Sequence, residues 1–257
     1  MFSPAGCLDD GSMIQAIRRG FWKFGVDFSR FAPDAHPAAR RKQLLAACDI
    51  DTVLDIGANR GQFARHLRKD LGYAGRILSF EPLSTAFEIL RRSAEHDPGW
   101  EVFNFALGDA EERREINIAA NSDSSSLLDM LPEHLAAAPE SRYEGREAVA
   151  VKRLDPLFEG LCRGAGRVYM KIDTQGFEDR VLRGAERSLA AIDTVQVEMS
   201  LVALYQGQPL FPDLYAYLAA RGYSLFSIDP CFADKKTGRV LQVDGTFRRF
   251  TSNGTTV

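Results

Sequence analysis

The sequence predicts an α/β fold built on a largely parallel sheet, and three observations support it. From Ile50 onward, short apolar strands alternate with helical stretches, which is typical of parallel strands joined by right-handed crossovers. The apolar run 53–56 ends in closely spaced glycines, as a strand does when it enters a ligand-binding turn. The last two apolar strands are separated only by residues 229–239, too few for a helical crossover. They should therefore pair as a hairpin and make the sheet mixed.

Apolar periodicity places the elements along the chain. We expect strands over seven segments, which in chain order are 52–56, 76–80, 101–105, 167–172, 194–199, 223–228 and 240–249. We expect helices over five segments, which are 61–71, 83–96, 154–162, 177–190 and 211–221. The region 109–151 is the least regular, with strand-like residues 115–119 and 148–152 around a polar serine run. It predicts a long insertion that carries a substrate loop.

Ahead of this pattern, residues 12–31 carry apolar and aromatic side chains at helical spacing, interleaved with basic residues. We predict an N-terminal helical arm over residues 1–45 and one catalytic domain over residues 46–257. The simplest interpretation packs the aromatic face of the arm on the domain, where by analogy it would also cover the cofactor site. A helix that lies on a membrane surface or docks on a partner is the alternative. The apolar set is Met13, Ile14, Ile17, Phe21, Phe24 and Phe28.

Composition sets the outer bounds of the function. The 257 residues are 45% apolar and 26% charged, which is the ordinary globular range. A net charge of −3 disfavours a nucleic-acid substrate, for which a basic face is expected. The four cysteines are scattered without a C-x-x-C pair, so we expect reduced and mostly buried thiols. With no transmembrane run and no basic leader region, we predict a soluble cytoplasmic protein, whose oligomeric state the sequence leaves open.

The turn after the first predicted strand contains Gly57 and Gly61, which allow sharp bends and close backbone approach to a ligand. Asn59 stands where a dinucleotide fingerprint has its middle glycine, and no Lys-Ser/Thr pair follows as in a P-loop. Neither phosphate-binding template fits this turn. A nicotinamide dehydrogenase is therefore disfavoured.

Two acids stand at the ends of the first two strands. Glu81 follows the strand 76–80, where a carboxylate can accept both hydroxyls of a ribose, and Asp55 closes the strand before the turn. A cofactor with a ribose and an amino-acid tail but no phosphate suits this arrangement, so we predict S-adenosylmethionine. The alternatives are a surface acid for Glu81 and an acid that holds its own turn for Asp55.

Five segments, taken in order, resemble the FkbM family of S-adenosylmethionine-dependent methyltransferases: 55–63, 80–82, 104–109, 171–178 and 243–247. The resemblance covers roughly residues 50–250. It implies a Rossmann-like class I methyltransferase fold, with a seven-stranded mixed sheet, an antiparallel last strand and helices on both faces. It also implies O-methylation of a hydroxyl on a sugar or another small natural product.

The cofactor contacts that we expect follow from the turn, the strand ends and this resemblance. In related methyltransferases the position of Asp55 lies by the methionine portion and that of Asp109 accepts from the adenine amino group, although a turn aspartate is an equal alternative for Asp109. The expected set is Asp55, Gly57, Ala58, Asn59, Gly61, Phe63, Glu81, Pro82, Asn104, Ala106, Leu107, Asp109 and Asp173.

Three residues are candidates for catalysis. The strand 168–172 delivers Asp173 to the sheet edge, where a carboxylate can position or deprotonate the acceptor hydroxyl. Glu198 ends a neighbouring strand and could assist Asp173 or share a divalent metal with it. We do not favour a metal, because hard cations usually have more convergent oxygen ligands. His134, in the insertion, is a candidate base on the acceptor side.

Other polar residues near the predicted site have plain structural interpretations as well. Glu178 fits an acid at a helix N-terminus better than a catalytic group. The serines Ser124, Ser125 and Ser126 match a family position but equally suit a flexible loop, and Tyr205 would line or underlie the acceptor pocket. We predict a small hydroxylated acceptor. Methyl transfer to nitrogen and a non-catalytic cofactor-binding module are the alternatives.

Overall fold

The computed structural model describes residues 10–249, with side chains from residue 15 onward. Contacts divide the chain into two units between Leu44 and Leu45. The first unit contains helix α1, Asp10–Trp22, and most of helix α2, Pro37–Ala47. The helical spacing predicted through residue 31 does not continue as a helix, because the chain turns at Gly25, whose φ is +69°. The side chains of Met13 and Ile14 lie outside the described part, and the packing of the arm stays a prediction.

The second unit contains the strands and the remaining helices. The strands are β1 Thr52–Ile56, β2 Arg76–Phe80, β3 Trp100–Phe103, β4 Ala106–Leu107, β5 Glu112–Ala119, β6 Tyr143–Lys152, β7 Val168–Ile172, β8 Ile192–Ser200, β9 Ser224–Ala233 and β10 Val240–Arg248. The helices are α3 Gln62–Lys69, α4 Ser84–Ala94, α5 Pro132–Ala137, α6 Asp155–Leu161, α7 Glu178–Gly184 and α8 Phe211–Ala219.

Seven strands form the main sheet in the order β3-β2-β1-β7-β8-β10-β9. β10 is antiparallel to both of its neighbours, whereas the other described pairings in this sheet are parallel. The predicted mixed sheet, its antiparallel last strand and the terminal hairpin are confirmed. β1 is buried along its whole length between β2 and β7, so its apolar run is a central strand rather than a surface one.

The insertion is more regular than predicted. β5 pairs antiparallel with β6 from Glu112 opposite Val151 to Ala119 opposite Tyr143, and β4 adds a parallel strand on the other side of β6. The short strand β4 gave no separate apolar signal, since Ala106 and Leu107 follow directly on β3 and its turn. Between β5 and β6, residues 120–131 lead to α5, and residues 138–142, which include a short 3-10 turn, lead from α5 to β6.

One predicted helix is shorter than expected. The segment 177–190 forms α7 only as far as Gly184, followed by a 3-10 turn at Ser188–Ala191. Gly184 lies so close to the main chain of Gly108 that a Cβ at residue 184 would approach its carbonyl oxygen to 1.8 Å. In the described part of the chain, no helix is long and apolar enough to cross a membrane. Cys48 and Cys162 are buried and free, and Cys231 is free and exposed.

Candidate functional site

A pocket opens at the carboxyl ends of β1, β2 and β7, which meet at one edge of the sheet. We call it the donor pocket. Most of its apolar lining comes from the strand ends and from the insertion. The lining residues are Ile56, Gly57, Asn59, Phe80, Glu81, Pro82, Leu83, Ala106, Leu107, Ile116, Ser122, Asp123, Ser125, Leu127, Asp173, Thr174, Gln175 and Phe177.

The turn after β1 has the conformation that its glycines predict. Gly57 has a φ of +78°, and a Cβ there would lie 1.8 Å from the carbonyl oxygen of Asp173, so the turn packs directly on the end of β7. Gly61 has a φ of +81°, with Leu90 and Trp100 about 3 Å from the position of a Cβ. Asn59 is also left-handed, with a φ of +45°, which asparagine tolerates better than most residues.

Glu81 is buried at the carboxyl end of β2, with 5% of its surface exposed. One carboxylate oxygen accepts the backbone N–H of Asn59 and the other accepts that of Leu83, both at 2.8 Å. Burial raises the pKa of Glu81 to about 7, against the opposing effect of these two donors. Because each carboxylate oxygen can accept more than one hydrogen bond, Glu81 keeps acceptor capacity for two ligand hydroxyls.

The other predicted cofactor residues divide into two groups. Pro82, Ala106 and Leu107 line the donor pocket together with the residues already described. The remainder do not line it. Asn104 donates to the carbonyl oxygens of Glu81 and Pro82, both at 3.0 Å, and so fixes the end of β2. The residues outside the lining are Asp55, Ala58, Gly61, Phe63, Asn104 and Asp109.

Asp109 and Phe63 make contacts of their own. The carboxylate of Asp109 pairs with Arg180 at 3.2 Å and remains partly exposed. The ring of Phe63 lies 5.4 Å from the ammonium nitrogen of Lys171, within the range of a cation–π contact. The predicted cofactor roles of both residues stay predictions.

A buried lysine that sequence reasoning missed connects two of the predicted acids. Lys171 Nζ lies 3.4 Å from Asp55 and 3.3 Å from Asp173. Burial alone would lower the pKa of Lys171, but Asp173 and Asp55 raise it above its ordinary value, so the side chain is a cation. Burial raises the pKa of Asp55, which is fully buried and accepts a hydrogen bond from Ser79 at 3.3 Å. Asp55 does not line the donor pocket and is connected to Asp173 through Lys171.

Asp173 and Glu198 are joined by Gln175, which sequence reasoning also missed. The side-chain amide of Gln175 donates to Asp173 at 2.8 Å and to Glu198 at 2.9 Å. The Tyr205 hydroxyl donates to the amide oxygen at 2.8 Å, which orients the amide. Glu198 accepts a second amide hydrogen bond, from Gln242 at 2.8 Å. Burial, together with the charges of Asp173 and Glu178, raises the pKa of Glu198 well above its ordinary value.

A second cleft, with a volume of about 380 Å³, lies on the far side of Gln175. We call it the acceptor cleft. It shares Asp123 and Gln175 with the donor pocket, so the two cavities meet at these residues. Its other lining residues are Asn121, Ser124, His134, Ala137, Ala138, Glu140, Ser141, Glu198, Cys231, Phe232, Ala233, Lys235 and Gln242.

His134 lines the acceptor cleft, and its predicted role as a base on the acceptor side stays a prediction. The ring packs between Tyr205 and Phe232, with centroid distances of 5.2 Å and 5.4 Å. Burial lowers the pKa of His134 to about 4, and no described residue hydrogen-bonds its buried Nδ1 atom. A neutral imidazole with this pKa is a weak proton acceptor.

The loop 120–126 lies over the donor pocket and is fastened to the turn. The side-chain amide of Asn59 donates to Ser122 at 3.3 Å and to the carboxylate of Asp123, and Gln62 donates to the same carboxylate at 3.1 Å. Ser126 donates to the main-chain oxygen of Gln175. The serine run is thus hydrogen-bonded into the site rather than a free loop. The space enclosed beneath it is about 60 Å³, below the range of sites for drug-sized ligands.

Glu178 has the structural role that its position predicts. A single carboxylate oxygen accepts from the N–H of Thr174 at 2.9 Å, its hydroxyl at 3.1 Å, and the N–H of Gly176 at 3.1 Å. This fixes the loop that carries Gln175. Burial raises the pKa of Glu178 to about 7. Within residues 10–249, no group of three or more His, Cys, Asp or Glu side chains is arranged to hold a metal ion.

Comparison with solved structures finds methyltransferases of low sequence identity. Aeropyrum pernix fibrillarin with natively bound S-adenosyl-L-methionine is 12% identical, with 82% of this chain and 72% of that chain covered and a TM-score of 0.46. An rRNA methylase of Streptococcus thermophilus is 8% identical, with 84% and 98% covered and a TM-score of 0.44. A candidate tRNA methyltransferase of Streptococcus pneumoniae, in complex with S-adenosyl-L-methionine, is 9% identical, with 82% and 74% covered and a TM-score of 0.45. No curated protein sequence matches the chain.

A family model gives the assignment that these structures do not. The methyltransferase FkbM domain matches residues 55–225, which run from the acid before the glycine turn, through the insertion, into β9. The matched region contains Glu81, Asp173 and Gln175 together with both cavities' shared lining. The chain belongs to the FkbM methyltransferase family.

Proposed function

We propose that the protein transfers a methyl group from S-adenosylmethionine to a hydroxyl of a small polar acceptor, with Asp173 as the proton acceptor. One observation carries this proposal: Asp173 lines the donor pocket, and its hydrogen-bonding partner Gln175 lines both cavities. A carboxylate thus lies where a donor in one cavity would meet an acceptor in the other. Asp173 is anchored by Lys171 at 3.3 Å, while 35% of its side chain remains exposed.

The chemistry of the donor pocket fits S-adenosylmethionine. The buried carboxylate of Glu81 suits the two vicinal hydroxyls of a ribose. Apolar walls from Leu107, Ile116 and Phe177 suit a purine ring. Among the described lining residues there are three acids, namely Glu81, Asp123 and Asp173, and no lysine or arginine. This charge favours a sulfonium cation and disfavours the pyrophosphate of a nicotinamide dinucleotide.

The reaction needs a methyl donor and a base. The cofactor, when bound, supplies an electrophilic methyl group attached to a sulfonium. An alcohol is a weak nucleophile near neutral pH, so transfer to oxygen gains from a base within hydrogen-bonding distance of the hydroxyl. Asp173 supplies that base, and Lys171 and Gln175 hold its two oxygens in a fixed orientation.

The acceptor cleft supports a small polar acceptor rather than a nucleic acid. Its described lining offers hydroxyl, amide and carboxyl groups. Lys235 is the single cationic side chain of this described lining, because His134 is neutral. Nucleic-acid sites instead present several basic side chains to phosphates. The overall charge of −3 agrees with this view.

The test measures release of S-adenosylhomocysteine from S-adenosylmethionine in the presence of a panel of monosaccharides, polyols and small phenols. We expect product with at least one hydroxylated compound. Asp173→Asn should retain S-adenosylhomocysteine binding but lower turnover by roughly 10²- to 10⁴-fold, the usual contribution of a general base. Asp70→Asn, an exposed acid beyond α3, is the matched control and should turn over as the wild type does.

Three results would contradict the proposal. Full turnover by Asp173→Asn would remove the base. Products only with amine compounds would show nitrogen as the acceptor atom. Tight cofactor binding without product from any compound of the panel would favour a non-catalytic binding module.

A further inference from the structure

Gln175 has a backbone conformation that needs an explanation. Its φ of +54° is left-handed, a region that glycine, asparagine and aspartate tolerate but glutamine rarely adopts. Of the four non-glycine residues with positive φ in the described chain, the other three are Asp49, Asn59 and Ser122. Strain of this kind persists only where surrounding contacts fix it, and it concentrates at functional sites. Here Ser126 fixes the main-chain oxygen of Gln175, and Tyr205 fixes its side-chain amide.

In this backbone conformation, the side chain of Gln175 contacts both acids of the site. Each of its two amide hydrogens reaches a different carboxyl group, Asp173 at 2.8 Å and Glu198 at 2.9 Å. The opposite orientation of the amide would place its oxygen against both carboxyl groups and would lose the hydrogen bonds to them. The two acids are thus held near one another by a neutral group with its donors directed at both.

We propose that Gln175 is a positioning residue of the transfer site. Its side-chain amide orients the carboxylate of Asp173 towards the donor pocket and links it to Glu198 in the acceptor cleft. This inference rests on the proposed function of Asp173. Donation of an N–H to a carboxyl group favours its ionised form, so loss of the amide should make Glu198 harder to ionise.

The charged surroundings of Glu198 come from several elements. Lys171 on β7 and Asp173 just after it, Glu178 on α7 and Asp244 on β10 all influence its ionisation, and the Cys231 thiol on β9 lies 3.7 Å from its second oxygen. Gln242 and Gln175 both donate to the first oxygen. Removing Gln175 therefore withdraws one of two amide donors and leaves the charges in place.

Two variants withdraw the amide from its place between the two acids and are compatible with the left-handed backbone. Gln175→Gly relieves the left-handed strain, and Gln175→Asn keeps a residue that tolerates this conformation but is one methylene too short to reach both acids. Gln206→Gly, at an exposed position of the neighbouring loop, is the matched control. The readout is infrared titration of the protonated carboxyl band on the protein alone, with Glu198→Gln used to assign the band.

We expect the assigned band to titrate at a pH higher by about one in both Gln175 variants, a tenfold change in proton affinity, and at the wild-type pH in Gln206→Gly. The acidic limb of the turnover profile should move in the same direction. A band that titrates as in the wild type in Gln175→Gly would overturn the proposal. Because the titration needs neither cofactor nor acceptor, failure of S-adenosylhomocysteine to bind the wild type would count against the proposed function alone.

Discussion

The donor pocket and the acceptor cleft are built in different ways. In the donor pocket, the main contacts come from the backbone of the turn after β1. Gly57 packs on the main chain at the end of β7, and the N–H of Asn59 donates to the carboxylate of Glu81. In the acceptor cleft, side chains from separate elements hold one another, as Gln175, Glu198 and Gln242 do. A turn that depends on backbone contacts is sensitive to any added atom, whereas a side-chain network can be altered one group at a time.

The substitution that we expect to disrupt the donor pocket most is Gly57→Ala. A Cβ there would lie 1.8 Å from a carbonyl oxygen, in a backbone conformation with a φ of +78°. Left-handed strain of about 1 to 2 kcal/mol and overpacking of about 1 to 3 kcal/mol should together lower the free energy of unfolding by about 2 to 5 kcal/mol. Urea denaturation measures this loss, and cofactor binding should be lost with it.

Gly72→Ala is the matched control for that variant. Gly72 also has a positive φ, of +72°, but nothing lies within 4 Å of an added Cβ. It should therefore lose only the strain, about 1 to 2 kcal/mol. Equal losses in the two variants would mean that the close approach of the turn to β7 contributes nothing.

A second variant tests the loop that the two cavities share. Glu178 has a pKa of about 7 in the folded protein against an ordinary value of 4.5, so the folded state binds the proton more tightly. The free energy of unfolding should therefore fall as the pH rises from about 4.5 to about 7. Glu178→Gln keeps an oxygen for the three donors of the loop and removes the titration. It should raise stability at pH 8 by about 1 to 3 kcal/mol relative to the wild type.

Urea denaturation of both proteins at pH 5 and pH 8 checks this expectation. Glu81, whose pKa is also raised to about 7, contributes a similar slope to both proteins, so the difference between them isolates Glu178. A variant that is less stable than the wild type at pH 8 would show that the ionised carboxylate stabilises the fold, which contradicts a raised pKa for Glu178.

The smallest effect is expected at the loop over the donor pocket. Asp123 is exposed and accepts from Asn59 and Gln62. Asp123→Ala should change the free energy of unfolding by less than about 1 kcal/mol but release S-adenosylhomocysteine several-fold faster, because loss of these hydrogen bonds frees the loop. Stopped-flow displacement measures the rate. Asp129→Ala, at an exposed acid of the same insertion, is the control and should release S-adenosylhomocysteine at the wild-type rate. Release from Asp123→Ala at the wild-type rate would show that the loop does not gate the pocket.

Sequence alone predicts the backbone-built half of the site better than the other half. Gly57 and Glu81 lie within one strand-turn-helix unit and the strand that follows it, so local spacing was enough to place them. The same local reasoning predicted the terminal hairpin, because the connection between the last two strands is too short for a helical crossover. The seven-stranded sheet with its antiparallel last strand was what the family resemblance implied.

Lys171 and Gln175 were missed because their roles depend on contacts across the sheet. Period-two alternation puts Lys171 and Asp173 on the same side of their strand, but only the pairing of β1 with β7 brings Asp55 opposite Lys171. Gln175 needs Glu198 from the next strand and Tyr205 from the loop beyond it. The regular insertion was missed for a similar reason, since β6 pairs with a strand some 30 residues earlier in the chain.

The most direct test of the account is calorimetric titration with S-adenosylhomocysteine, with NAD as the competing ligand and Glu81→Ala in parallel. The account predicts that the wild type binds S-adenosylhomocysteine but not NAD. Glu81→Ala should bind it more weakly by about 1 to 3 kcal/mol, the cost of leaving the ribose hydroxyls without their acceptor. Equal affinity of Glu81→Ala and wild type, or binding of NAD in preference, would contradict the assignment of the donor pocket.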